Sequence, residues 1–254
     1  MLNMDVRTTS LIGLGFLLVV VSFSMLGLAA DNVAYVNGHQ NDDLQIHYHR
    51  WNSTAETQYS YWLKMDYAPS RFTLARESAM IASGVICAVV GAVVISTSTF
   101  VRKANNTRTG ALPWLITSVF AAVAFAISLA VAVYAWYPMM QWNINFLKSL
   151  PVPAKIAGSA SDTSITYQAP YPFTPEFWNC ALAPYVANPE ESGRLQSLCQ
   201  EAHAAKSLTI PVVILAAAIF GLTGWSWWSA SSAARAEPEM EGKDVEEVSM
   251  ASRD

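Results

Sequence analysis

Two histidines separated by one residue are the clearest candidates for metal chemistry in this sequence. His47 and His49 lie in a stretch rich in aromatic and β-branched residues, which predicts a β-strand. Side chains two residues apart on a strand point to the same side, so both imidazoles could reach one ion, with His39, Asp42 or Asp43 completing its shell. The simpler interpretation is an exposed polar strand face, because no third ligand follows at a convincing spacing. We therefore treat the pair as a candidate and predict neither a metal nor a cofactor.

Motifs for catalysis are not readable in the sequence. It contains no Gly-rich phosphate loop, no HExxH, no GxSxG and no arrangement typical of a Ser/His/Asp triad. We therefore expect a protein that is not an enzyme.

One of the three cysteines lies in an apolar part of the sequence and the other two lie in polar parts. Cys87 lies within a long apolar stretch, whereas Cys180 and Cys199 lie outside all such stretches. A disulfide between the latter two would stabilise the fold by roughly 3 kcal/mol in the chain-entropy model. Two free thiols are the alternative, but an oxidising compartment favours the bridge, with Cys87 reduced.

Long apolar stretches position these residues. They cover residues 11–30, 78–100, 111–137 and 208–228, and none of them contains Asp, Glu, Lys, Arg or His. Each has about the 20 residues that cross a bilayer as a helix. A chain that is 53% hydrophobic and 13% charged does not resemble an ordinary soluble domain. The net charge of -4 also argues against a nucleic-acid partner.

The connector at residues 101–110 determines the predicted orientation. It carries Arg102, Lys103 and Arg108 and no acid, so the positive-inside rule places it in the cytosol. The N-terminus (1–10) and the acidic, disordered tail (229–254) are then cytosolic too, and residues 31–77 and 138–207 form two outer loops. Residues 11–30 are either an uncleaved first span or a signal peptide, and both interpretations place the first loop outside.

Both outer loops carry structural signals. In the first, residues 44–51 and 58–63 predict a small β-sheet, and Asn37-Gly38 predicts a turn. In the second and larger loop, Asn188-Pro189 followed by two glutamates predicts the start of a helix that runs to about Lys206 and could continue into the fourth span. We therefore expect a partly helical second loop.

A glycosylation sequon begins at Asn52, in the first outer loop. We expect Asn52 to be glycosylated, because the transferase works on the lumenal side. A second sequon begins at Asn105, in the cytosolic connector, and we expect it to stay bare.

The second span carries small residues four positions apart at Gly84, Ala88 and Ala92. Such a stripe lets helix backbones approach closely in lipid, which predicts a packing face. The alternative is that Gly and Ala are simply common in membrane helices.

The topology resembles that of tetraspan membrane proteins of the claudin and MARVEL type, including fungal plasma-membrane tetraspans. Trp51 and Trp62 lie in the first outer loop, where claudin-type proteins carry a Trp followed by a cysteine pair. Here the cysteines are Cys180 and Cys199 of the second loop, so the resemblance transfers no functional residue. It implies an all-α membrane fold of four transmembrane helices, with a small β-like first loop.

The resemblance also implies a role in organising or scaffolding membrane components through lateral helix packing. The expected partners are the lipid bilayer and other integral membrane proteins, or further copies of the chain. An accessory subunit or sensor whose outer loops bind a ligand or metal is the alternative. We expect a multi-pass protein of the secretory pathway, located in the plasma membrane.

Overall fold

The computed structural model describes the backbone of residues 4–39, 42–52, 57–66, 73–103, 111–137, 163–164 and 174–251. Side chains are described for residues 6–39, 42, 44–46, 73–103, 111–137 and 174–232. In chain order the elements are α1 (Met4–His39), β1 (Asp43–Asn52), β2 (Thr57–Asp66), α2 (Ala75–Lys103), α3 (Leu112–Trp136), β3 (Thr163–Ser164), α4 (Pro175–Leu182), a 3-10 turn (Ala183–Tyr185) and α5 (Pro189–Ala251). Four helices of this described part, α1, α2, α3 and α5, are long and apolar enough to cross a membrane. The predicted all-α fold with four spans is confirmed.

Two of these helices are far longer than a bilayer requires. At 1.5 Å per residue, the 36 residues of α1 extend about 54 Å and the 63 residues of α5 about 95 Å, against an apolar core of about 30 Å. The turn predicted at Asn37-Gly38 is wrong, because these residues belong to the last turn of α1. Gly and Asn favour helix C-termini, so the pair marks the end of a helix rather than a hairpin.

The last helix also passes the start of the predicted disordered tail, since α5 continues to Ala251. The composition of the tail explains why it is helical rather than disordered. Most residues after Ser232 are good helix formers such as Ala, Glu, Met and Lys, and extending an existing helix avoids the cost of nucleation.

The chain forms two compact units, and each of the four long helices contributes a segment to both. The terminal-side unit comprises Met1–Phe23, Ser83–Ala130 and Ile210–Asp254. The loop-side unit comprises Ser24–Ala82 and Val131–Thr209.

In the terminal-side unit, α1 and α2 meet through two glycines. A Cβ atom built on Gly91 would lie 2.8 Å from the carbonyl oxygen of Gly15 and 2.8 Å from Cγ2 of Val19. A Cβ on Gly15 would lie 3.0 Å from the carbonyl oxygen of Gly91. Backbone therefore lies against backbone at this crossing, as expected for helices that associate in lipid.

The predicted small-residue stripe of α2 is only partly on a packing face. Gly84 and Ala88 are buried, but Ala92 is exposed and the buried residue at this level is Gly91. The helical phase explains the difference. At 3.6 residues per turn, seven residues bring Gly91 back to about 20° from Gly84, whereas eight residues carry Ala92 about 80° away.

In the loop-side unit, the first outer loop forms an antiparallel hairpin. β1 pairs with β2 in a register that places Ile46 opposite Leu63, and β3 adds a short parallel strand beside β2. Ile46 is fully buried and bridges to Val186, just after the 3-10 turn. The hairpin is thereby attached to the segment between α4 and α5.

Side-chain caps begin the helices of the second loop. The Thr174 hydroxyl accepts a hydrogen bond from the Phe177 amide, at 3.5 Å, with Pro175 in the first turn of α4. The Asn188 side chain accepts one from the Glu190 amide at 3.1 Å, ahead of Pro189 at the start of α5. The helix start predicted from Asn188-Pro189 is therefore confirmed. This helix runs without interruption into the fourth span.

Candidate functional site

The disulfide predicted between Cys180 and Cys199 is present. It joins α4 to α5, with Cα atoms 5.0 Å apart. Cys87 is a buried free thiol, as predicted. The bridge fixes α4 against the long helix, and this brings the charged residues of both helices together.

Glu176 is the centre of a buried charge network in the loop-side unit. It lies in the first turn of α4, where the helix dipole favours an acid. Arg76, at the start of α2, forms an ion pair with Glu176 Oε2, and the two side chains are only 11% and 10% exposed. From α5, His203 Nδ1 lies 3.0 Å and Lys206 Nζ 3.5 Å from Glu176 Oε1. One carboxylate therefore connects three helices.

Glu77 places a second carboxylate beside this network. Its side chain is 1% exposed and its Oε1 lies 3.5 Å from Arg76 Nη2. Within the described part of the chain, Glu77 Oε2 and Arg76 Nε have no hydrogen-bond partner. A buried network of this kind is costly to break, because removing one partner leaves an uncompensated charge.

A second ion-pair cluster joins α1 to α5 at a more exposed level. Arg194 Nη2 lies 2.6 Å from Asp31 Oδ2, and Arg194 Nη1 lies 3.6 Å from Glu201 Oε1. The guanidinium also lies over the ring of Tyr35, 5.5 Å from its centroid. The extension of α1 past residue 30 makes this cluster, because Asp31 and Tyr35 are residues of that extension.

An aromatic ring lies against Lys206 of the Glu176 network. Lys206 Nζ lies 4.9 Å from the ring centroid of Trp136, whose Nε1 donates a hydrogen bond of 3.3 Å to Thr209. Trp136 is the last residue of α3. This position agrees with the interfacial aromatic belt expected at the end of a span.

The predicted metal candidates are only partly described. The backbone of His47 and His49 lies in β1, opposite Trp62 and Ser60, but their side chains are outside the described residues. His39 lies at the end of α1, where its ring stacks on Tyr35 with 4.1 Å between centroids and its Nδ1 is 2.9 Å from the Tyr35 carbonyl. The histidine pair therefore stays a prediction.

Most atoms of the two sequons belong to residues that the structure does not describe. Asn52 is the last residue of β1, with its side chain among those not described, and Asn105 lies outside the described residues altogether. Glycosylation of Asn52 stays a prediction.

Hydroxyl groups within the spans bond mainly to their own helices. Thr117 donates to the Pro113 carbonyl at 2.8 Å, Thr223 to that of Ile219 at 2.8 Å, and Ser226 to that of Leu222 at 2.8 Å. These bonds satisfy polar side chains inside an apolar layer. These hydroxyl groups therefore have a structural role within their own helices.

The sequence did not predict the Glu176 network. Its members are far apart in the chain, and no spacing rule relates residues of different helices. The one signal available was position. Arg76 and Glu77 immediately precede the apolar stretch at 78–100, and Lys206 lies two residues before the stretch at 208–228.

Comparison with protein-family models, with curated proteins and with solved structures finds no match for this chain. The structure itself defines the class, an integral multi-pass membrane protein with four apolar helices.

Proposed function

We propose that this protein is a non-enzymatic organiser of the membrane, which binds other integral membrane proteins, or further copies of itself, through lateral helix packing. The observation that carries the proposal is a stripe of small residues on α3. Ala122, Ala126 and Ala130 are four residues apart; Ala122 is half-buried, and Ala126 and Ala130 are exposed. We call these three residues the α3 stripe.

The contact between Gly15 and Gly91 supports this interpretation. It shows that helices of this chain do associate by bringing small residues together. The small face of α2 is used inside the terminal-side unit, whereas the α3 stripe has its exposed members on the outside of that unit. In lipid, a small-xxx-small face lets a second helix approach closely and gain dispersion contacts.

Large apolar residues border the stripe. Val119, Val123 and Val133 are 55%, 48% and 60% exposed. Val119 and Val133 lie seven residues before and after Ala126, within about 20° of it around the helix, so a partner helix that packs at Ala126 would also meet these side chains. Such a surface suits a neighbouring helix as well as lipid chains, and the experiment must distinguish the two.

Photo-crosslinking in native membranes makes this distinction. A diazirine amino acid at position 126 should give discrete crosslinked species that contain a second membrane protein or a second copy of the chain. The same probe at position 124, where Ala124 is fully buried, should crosslink only within the chain. Lipid adducts alone from position 126 would contradict the proposal.

A further inference from the structure

The disulfide and a neighbouring histidine form a compact set of metal-binding atoms. Cys199 and His203 are four residues apart on α5 and therefore lie on one face of the helix, and Cys180 reaches them from α4. The ligand atoms of Cys180, Cys199 and His203 all lie within 4.8 Å of one another. His203 is 61% exposed, so solvent and ions reach the set.

A second observation concerns the orientation of the imidazole. His203 Nδ1 lies 3.0 Å from Glu176 Oε1, and Glu176 is itself 10% exposed and held by Arg76 and Lys206. Histidines that bind metal commonly pair one ring nitrogen with a carboxylate, which fixes the ring and leaves the other nitrogen for the ion. A disulfide alone requires neither this histidine nor its fixed partner.

We propose that Cys180, Cys199 and His203 form a redox-gated site for a soft or borderline d10 cation, Zn²⁺ or Cu⁺. This inference concerns the loop-side unit and does not depend on the proposed role of the α3 stripe. With the disulfide closed, neither sulfur is a thiolate and the site cannot form. A small thiol reductant opens it.

A dithiol is the only reagent that the reduction requires. A dithiol transfers two electrons and two protons to the Cys180–Cys199 bond, is itself oxidised to a disulfide, and leaves two thiols. The cation then displaces both thiol protons into solvent and is bound by two thiolates and one imidazole. Two sulfur ligands and one nitrogen ligand suit Zn²⁺ or Cu⁺ far better than Mg²⁺ or Ca²⁺, and water can occupy a fourth position.

Cobalt titration of the purified full chain tests the proposal directly. After reduction with a phosphine and its removal under anaerobic conditions, Co²⁺ should produce thiolate-to-cobalt charge-transfer bands and the intense visible bands of tetrahedral cobalt. One ion should bind per chain, and Zn²⁺ should abolish both sets of bands. Unreduced protein should show neither.

Two variants separate this site from adventitious thiol binding. His203→Ala should weaken Co²⁺ binding at least about 10-fold, and Glu176→Gln should weaken it by roughly 10- to 100-fold. His39→Ala is the matched control, since His39 lies at the end of α1 against Tyr35, and it should leave the affinity unchanged. Equal affinity in wild type and His203→Ala, or binding without charge-transfer bands, would overturn the proposal.

A second measurement covers the case in which the reduced protein loses its structure in detergent. In native membranes treated with reductant, Zn²⁺ should protect Cys180 and Cys199 from alkylation by a water-soluble maleimide, and His203→Ala should remove most of that protection. Alkylation at the same rate with and without Zn²⁺ would overturn the proposal.

Discussion

Replacing Gly91 with alanine should separate two helices that touch through their backbones. The new Cβ would lie 2.8 Å from the Gly15 carbonyl oxygen and 2.8 Å from Val19 Cγ2, distances that real Cβ atoms essentially never show. The Val19 methyl could rotate, but the Gly15 oxygen belongs to a helix backbone, so α1 must move. Overpacking of this kind typically costs about 1–3 kcal/mol.

The intrinsic helix preference of alanine works in the opposite direction, by about 1 kcal/mol. Gly221→Ala is therefore the matched control. Gly221 is exposed in α5 of the same unit, and a Cβ there would meet no atom within 4 Å. The difference between the two variants in free energy of unfolding cancels the helix preference of alanine and leaves the cost of the close contact. Gly91→Ala should therefore be less stable than Gly221→Ala by roughly 1–3 kcal/mol.

Unfolding by SDS from mild-detergent micelles, followed by tryptophan fluorescence, measures this difference. Gly15→Ala should show a smaller loss, because its nearest neighbour is the Ile95 side chain at 2.9 Å, which can shift. The double variant should cost less than the sum of its parts, since one helix displacement relieves both clashes. Equal stability of Gly91→Ala and Gly221→Ala would refute the idea that α1 and α2 meet through these glycines.

Three further predictions concern the ion pairs, the disulfide and the sequons. Arg76→Met should destabilise the protein by about 3–5 kcal/mol, because it leaves the buried Glu77 without its cation and takes one of three partners from Glu176. Arg194→Met, which removes an ion pair with side chains 40% and 46% exposed, should cost about 0–1 kcal/mol in the same assay. Equal losses for the two variants would show that the buried ion pair stabilises the protein no more than the exposed one. The double change Cys180→Ala and Cys199→Ala should cost roughly 3 kcal/mol relative to the oxidised protein, and an unchanged unfolding midpoint would show that the bridge does not stabilise the fold. Asn52→Gln should abolish a glycosidase-sensitive shift in mobility while Asn105→Gln leaves it unchanged, and the opposite pattern would reverse the predicted orientation.

Features that depend on local sequence were predictable. Apolar length alone identified the four spans, and the Asn188-Pro189 pair identified the start of α5, because capping depends on residues within one turn. The disulfide followed from elimination, since Cys180 and Cys199 are the two cysteines outside the apolar stretches. Each of these inferences needs only residue types and their order.

Features that depend on helical phase or on distant partners were not predictable. The stripe of α2 was assigned to Ala92 rather than to Gly91, because a four-residue spacing drifts by about 40° at each step. The Glu176 network requires α2, α4 and α5 to meet, and nothing in the local sequence of Arg76 indicates Glu176. The helical extension at Asn37-Gly38 was missed because the same residues favour both turns and helix ends.

The proposed role in lateral packing is tested most directly by making the α3 stripe bulky. Ala126→Leu with Ala130→Leu should abolish association of the full-length protein in native membranes, measured by counting photobleaching steps and by the crosslinks of its neighbours. The unfolding midpoint should stay unchanged, because both residues are exposed. Val85→Leu with Val89→Leu, a change of similar chemistry at exposed positions of α2, away from the α3 stripe, should leave the association intact. If both double variants associate as the wild type does, the α3 stripe faces lipid and the proposed function is wrong.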